Sequence, residues 1–196
     1  MYYYSYLITH SEDPKNPRIR EDNISTIVIW HSQRPWLSDV FEKGTPAEYL
    51  AQLAGVTIDP ASDYSQLTGE RSFDRAIEDL AEELRRRYVI LRLWLTLTGK
   101  TQLKAYPEND ASWCGFMYAP RSDRALMRMA EELHAYSKYR SDDVYGYQIF
   151  RHQPGADADE GVECASAWDL PGREAAELAA KRMVACLGEP VRWQSP

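Results

Sequence analysis

The chain has 196 residues, 44% of them hydrophobic and 27% charged, which is enough for one domain with a real core. Acidic side chains outnumber basic ones by 30 to 23, giving a formal net charge of −7. That balance disfavours direct nucleic-acid binding, because phosphate backbones are held by clustered Lys and Arg that displace counterions.

An acidic surface instead steers a protein toward a basic one, such as the nucleic-acid groove of a second protein. Cys114, Cys164 and Cys186 include no Cys-x-x-Cys pair, so neither a disulfide framework nor a zinc site is expected, and a reducing cytoplasm fits best. No stretch approaches the roughly 20 apolar residues of a membrane span, and the N-terminus lacks a basic region leading into an apolar run. The expected protein is soluble and has no membrane partner. Thirteen Tyr and six Trp stand against four Phe, and such side chains combine apolar area with a polar tip, suiting half-buried sheets and interfaces.

In chain order, Tyr2 to Thr9 reads as a strand followed by a proline-broken loop. Ile24 to His31 is a second strand, whose Ile27, Val28 and Ile29 suggest burial on both faces. Thr45-Pro-Ala-Glu48 predicts a helix start: Thr45 caps, Pro46 suits the first position, Glu48 completes a capping box, and Gly55 is the stop. Residues 56–69 form a loop. Ser72 is the expected cap of the next helix, with Phe73, Ile77, Leu80, Leu84 and Tyr88 on its core face and Arg85 to Arg87 at its end, where the helix dipole favours cations.

Val89 to Thr98 and Thr101 to Tyr106 form a hairpin about Gly99-Lys100. Trp113 to Ala119 is a strand in which Gly115 marks a bulge or a close backbone approach. A helix follows from Ser122 or Asp123 to about Tyr139, its apolar face carrying Leu126, Met129, Ala130, Leu133 and Tyr136 or Ser137. Val144 to Arg151 is a strand. Pro154 to Gly161 carries Asp157, Asp159 and Glu160 with no base, the composition of an exposed, mobile loop. Ser166 to Cys186 is the last helix, with Ala175, Leu178, Ala179 and Met183 on one face. The pattern predicts a single α+β domain, a largely antiparallel sheet with amphipathic helices packed on one face. Residues 153–196 form an extension of loop and helix.

No complete catalytic, metal or nucleotide motif is present. His10, His31, His134 and His152 lack metal-ligand spacing. Gly99-Lys100-Thr101 lacks the first glycine of a phosphate loop. Cys114, within an aromatic strand, reads as a small core residue, and Asp22-Asn23 with His31 reads as a capped strand end. No catalytic residue, metal ligand or cofactor is assigned. Asp142-Asp143 draws attention because negative charge past a helix end is unfavourable against the helix dipole. The pair either takes a divalent cation or a basic residue of a partner, or forms an Asx turn that satisfies amides before the strand. Together with Trp36, a loop tryptophan suited to anchor an interface, the acidic and aromatic binding set comprises Asp142, Asp143, Tyr145, Tyr147, Asp157, Asp159 and Glu160.

Three signals stand in order along the chain: Asn16-Pro-Arg18 with Asp22-Asn23 and the strand into His31, then Trp113-Cys-Gly-Phe-Met-Tyr118, then Asp143-Val-Tyr-Gly-Tyr147. Over residues 1–152 this resembles a family of small accessory proteins carried by bacteriophages and plasmids. The chain departs from that pattern at Leu97-Thr-Gly-Lys100, where family members carry a polar, aromatic turn. The resemblance implies an α+β fold, a mobile-element setting in the host cytoplasm, and nothing about catalysis. The expected function is binding of a host protein, one that itself handles nucleic acid in defence, by an inhibitor of the anti-CRISPR or anti-restriction kind. Two alternatives are a small metal-dependent hydrolase or nuclease built on Asp142 and Asp143, and a self-assembling module that forms a homodimer.

Overall fold

The tyrosine-rich N-terminus forms a strand, β1 (Tyr3–His10), whose hydrogen-bonding partner is near the other end of the chain, in β6 (Val144–His152). This long-range pairing creates a second sheet. The computed structural model describes residues 2–31, 34–41, 44–58, 64, 67–96, 102–108, 110–155 and 160–187. Its described residues divide into two compact units, one from Met1–Pro17 with Lys138–Pro196 and the other from Arg18–Ser137. Among the described residues both sheets are antiparallel and five α-helices accompany them, so the α+β class read from the sequence is the one observed.

In the first unit β1, β6 and β7 (Val162–Pro171) form a three-stranded sheet in the order β1-β6-β7. The helix α5 (Arg173–Cys186) covers one face. Tyr4, Tyr147 and Ile149 from the strands meet Ala180 and Val184 from α5, with Tyr6 and Ile8 packed around them. Alternation explains the selection: Tyr4, Tyr6 and Ile8 are separated by two and share a face.

The second unit has a four-stranded sheet in the order β2-β5-β3-β4, from β2 (Thr26–Ile29), β3 (Tyr88–Thr96), β4 (Gln102–Lys104) and β5 (Ala111–Pro120). Val28 and Phe116 pack against α1 (Pro46–Ala54), α2 (Gly69–Asp79) and α3 (Ala81–Arg87) through Leu50, Phe73, Leu80 and Leu84. The alternate residues Ile27, Ile29 and Met117 are also buried, as are Met129, Leu133 and Tyr136 of α4 (Ala125–Arg140). Glu132 of α4 accepts the N–H groups of Ile24 and Ser25 at the entrance to β2.

Local signals hold where they are self-contained. The Thr45–Glu48 capping box is complete in both directions, and Gly55 ends α1 in a left-handed conformation, φ 72°. Gly115 combines both expectations: the β3–β5 register shifts beside it, and a Cβ there would overlap the Val28 carbonyl oxygen.

Other expectations are corrected. Ser72 does not cap; α2 starts at Gly69, and the buried Ser72 hydroxyl instead accepts the Ala47 N–H. The single helix expected to run on from there breaks at Leu80 into α2 and α3. Residues 166–171 belong to β7, and the last helix begins only after Gly172, because β6 offers that stretch a ladder and Pro171 ends it. The buried stripe of α5 is Ala176, Ala180 and Val184, while Leu178 and Met183 face outward. The hairpin turn about Gly99-Lys100 lies outside the described residues.

Candidate functional site

At the end of the first unit's sheet where β1 finishes, β6 starts and β7 finishes, three local devices converge. The first is the helix stop. Asp142 takes a left-handed conformation, φ 56°, directly after α4. Its N–H donates to the Tyr139 carbonyl and the Asp143 N–H to the Lys138 carbonyl, the paired bonds of a Schellman turn. The Asp143 carboxylate is met by the Lys138 ammonium at 2.5 Å, which offsets its unfavourable place in the helix dipole. The helix stop is thus made by backbone groups in a Schellman turn and not by the Asx turn expected from the sequence, and the Asp143 carboxylate is taken up by a lysine.

The second device is a β-bulge. Tyr145 pairs with Leu170 and Tyr147 with Ala167, so Trp168 and Asp169 together stand opposite Gly146. Asp169 absorbs the extra residue in a left-handed conformation, φ 62°. Trp168 lies flat over Gly146, so close that a Cβ on Gly146 would penetrate its ring, yet it remains 46% exposed. Asp142 and Asp169 are the two non-glycine residues with positive φ among the described residues. Strain of this kind concentrates at sites where a side chain must be aimed.

The third device is His10, the last residue of β1. Its Nε2 is 2.8 Å from the Asp142 carbonyl oxygen, and Tyr145 meets its ring edge-on with centroids 5.2 Å apart. Together these leave an open cleft of about 540 Å³, lined by Thr9, His10, Ser11, Glu12, Asp13, Lys15, Trp168 and Asp169. The Lys15 N–H donates to Asp169 Oδ1 at 3.3 Å. Three carboxylates, one ammonium, one half-exposed indole and one imidazole thus share an opening whose acids outnumber its base, a chemistry suited to a cationic side chain.

The structure gathers only part of the sequence-derived binding set here. Asp142, with a side chain 76% exposed, and Tyr145 border the cleft through His10. Tyr147 is buried in the core of the unit. Trp36 belongs to the second unit, on a 3-10 turn where it is 52% exposed. Asp157 and Asp159 lie outside the described residues, and Glu160 is exposed just before β7. Sequence reading missed Trp168, Asp169, Glu12 and Asp13. Trp168 sits in a stretch that reads as the entry to the last helix, and only pairing with β6 turns it into a bulge. The Gly146 between two tyrosines was the one available signal, since glycine inside a strand marks a close approach.

Other polar groups are structural. Ser5 Oγ lies 2.7 Å from His152 Nε2, but His152 is buried and stacked on Tyr3. Burial pushes the Cys114 thiol up to about 12, which makes it an inert core residue. Among the described residues no three His, Cys, Asp or Glu side chains are grouped to hold a metal, and no helix is long and apolar enough to cross a membrane. No protein-family model, curated protein or solved structure matches the chain.

Proposed function

We propose that the chain acts by binding a basic segment of another protein in the cleft between His10, Trp168 and Asp169. The observation that carries this reading is the bulge that holds Trp168 flat on Gly146 at the lip of an acid-lined opening. A half-exposed indole leaves on the order of 100 Å² of apolar surface to be covered, which corresponds to roughly 2–3 kcal/mol for a partner that buries it. Glu12, Asp13 and Asp169 supply the charge that selects a Lys or Arg to do so. The resemblance to mobile-element accessory proteins suggests the kind of partner: a host defence protein whose basic groove handles nucleic acid, inhibited by occupancy. The lysine held on Asp143 weighs against the alternative in which the doubled acid takes a divalent cation.

The test is the plating of a restricted bacteriophage on cells with an active CRISPR or restriction system. Expression of the chain is expected to raise plating, and Trp168→Ala or Glu12→Lys to abolish the gain at equal protein level. Plating that stays restricted with the unaltered chain across both kinds of system, or that is relieved equally by the variants, contradicts the reading.

A further inference from the structure

In the second unit, among the described residues, β4 pairs only with Trp94–Thr96 of β3. Among the described residues, no strand pairs with Tyr88–Leu93 on the side away from β5. Alternate residues of an antiparallel edge turn their N–H and C=O groups outward, and such a row is a template for another chain. A groove of about 240 Å³ runs beside this edge, floored by Ile77, Leu84, Tyr88 and Ile90 and rimmed by Arg85 and Arg92.

Charge decides what the groove suits. Arg92 is held by Asp74 at 2.7 Å. Arg85 is exposed and has no carboxylate partner among the described residues, and neither has Arg121, whose Nη1 donates to the Arg85 carbonyl oxygen at 2.7 Å. Arg85 lines both this groove and an adjoining depression that holds Arg121, where Glu82 is paired with Arg86. On a chain of net charge −7 these two cations thus stand together at one end of the apolar floor.

We infer that this edge accepts an extended acidic segment of another protein as an added strand. Its backbone would pair with Tyr88–Leu93, its alternate apolar side chains would enter the groove, and its carboxylates would meet Arg85 and Arg121. A second copy of this chain suits the edge less well, since self-pairing brings the same arginines to one seam. The inference is independent of the cleft described above, which is in the other unit and opposite in charge.

The probe is a labelled synthetic peptide, Asp-Asp-Ile-Thr-Val-Thr-Ile-Asp, with two controls: the same peptide with lysine for aspartate, and one with alternate backbone amides methylated. Saturable binding of the acidic peptide alone is expected, together with new protection of the outward amides of Tyr88–Leu93 from hydrogen exchange. The double variant Arg85→Glu, Arg121→Glu is expected to weaken binding by roughly tenfold or more, while its unfolding curve shows that it remains folded. Absence of binding, equal binding of the lysine or methylated peptide, or binding unaffected by the double variant overturns the inference. So does concentration-dependent dimerisation that protects the same amides without peptide.

Discussion

Arg18, whose side chain is 6% exposed, ties three parts of the second unit together. Its guanidinium donates to Asp39 at 2.6 Å, to Glu132 at 3.0 Å and to the Ser25 carbonyl at 2.6 Å. Burial alone would lower its pKa, but hydrogen bonds and charge from Asp39 and Glu132 outweigh that and raise it. Replacing Arg18 by Met strands two carboxylates in a largely buried place, and a loss of about 3–5 kcal/mol is expected in denaturant unfolding. Asp142 offers the opposite case. Its left-handed backbone suits glycine better, so Asp142→Gly should raise stability by roughly 1 kcal/mol, measured in the same way. A gain there would indicate that aspartate is kept for something other than folding. Cys114 sets a pH limit. The folded thiol ionises near 12 and the unfolded one near 9, so the benefit of burying it neutral is complete below pH 9 and is lost as pH rises toward 12. Thermal melts of Cys114→Ala should show a shallower alkaline decline than the unaltered chain, and parallel declines would refute the assignment.

Among the elements, those specified by neighbouring residues were legible and those specified at a distance were not. The capping box at Thr45, the stop at Gly55 and the unbroken apolar run Ile27, Val28 and Ile29 act within a turn or two, so they appear in the sequence as they do in the fold. The pairing of β1 with β6 acts across most of the chain, and β7 exists only because β6 is there to receive it. A local reading of residues 166–171 takes Asp169 and Pro171 for a helix entry and cannot see that ladder, which is why the bulge and its tryptophan escaped notice. Glu132 illustrates the same point from the other side: an acid on the core face of α4 breaks the pattern unless Arg18 is known to meet it. The bulge gives its own prediction. Gly146→Ala must displace Trp168, so a red-shifted tryptophan emission and weakened partner binding are expected without global unfolding; an unchanged spectrum would show that the ring is not held on the sheet.

Across the whole molecule, the net charge of −7 coexists with two surfaces of opposite sign, an acid-lined cleft in one unit and an arginine-rimmed edge in the other. Composition reports only their sum, which is why it pointed to a basic partner and concealed the basic groove. Charge-led docking of this kind weakens as salt rises, because exposed charges are screened beyond about 10 Å at 0.1 M. The most direct measurement is therefore a capture from bacterial lysate in which the unaltered chain, Trp168→Ala and Glu12→Lys are used side by side at low and high salt. One basic protein retained in stoichiometric amount by the unaltered chain at low salt, and lost with either variant, is the result expected. A partner retained equally by all three, or none retained by any, would contradict the claim that this cleft is where the molecule works.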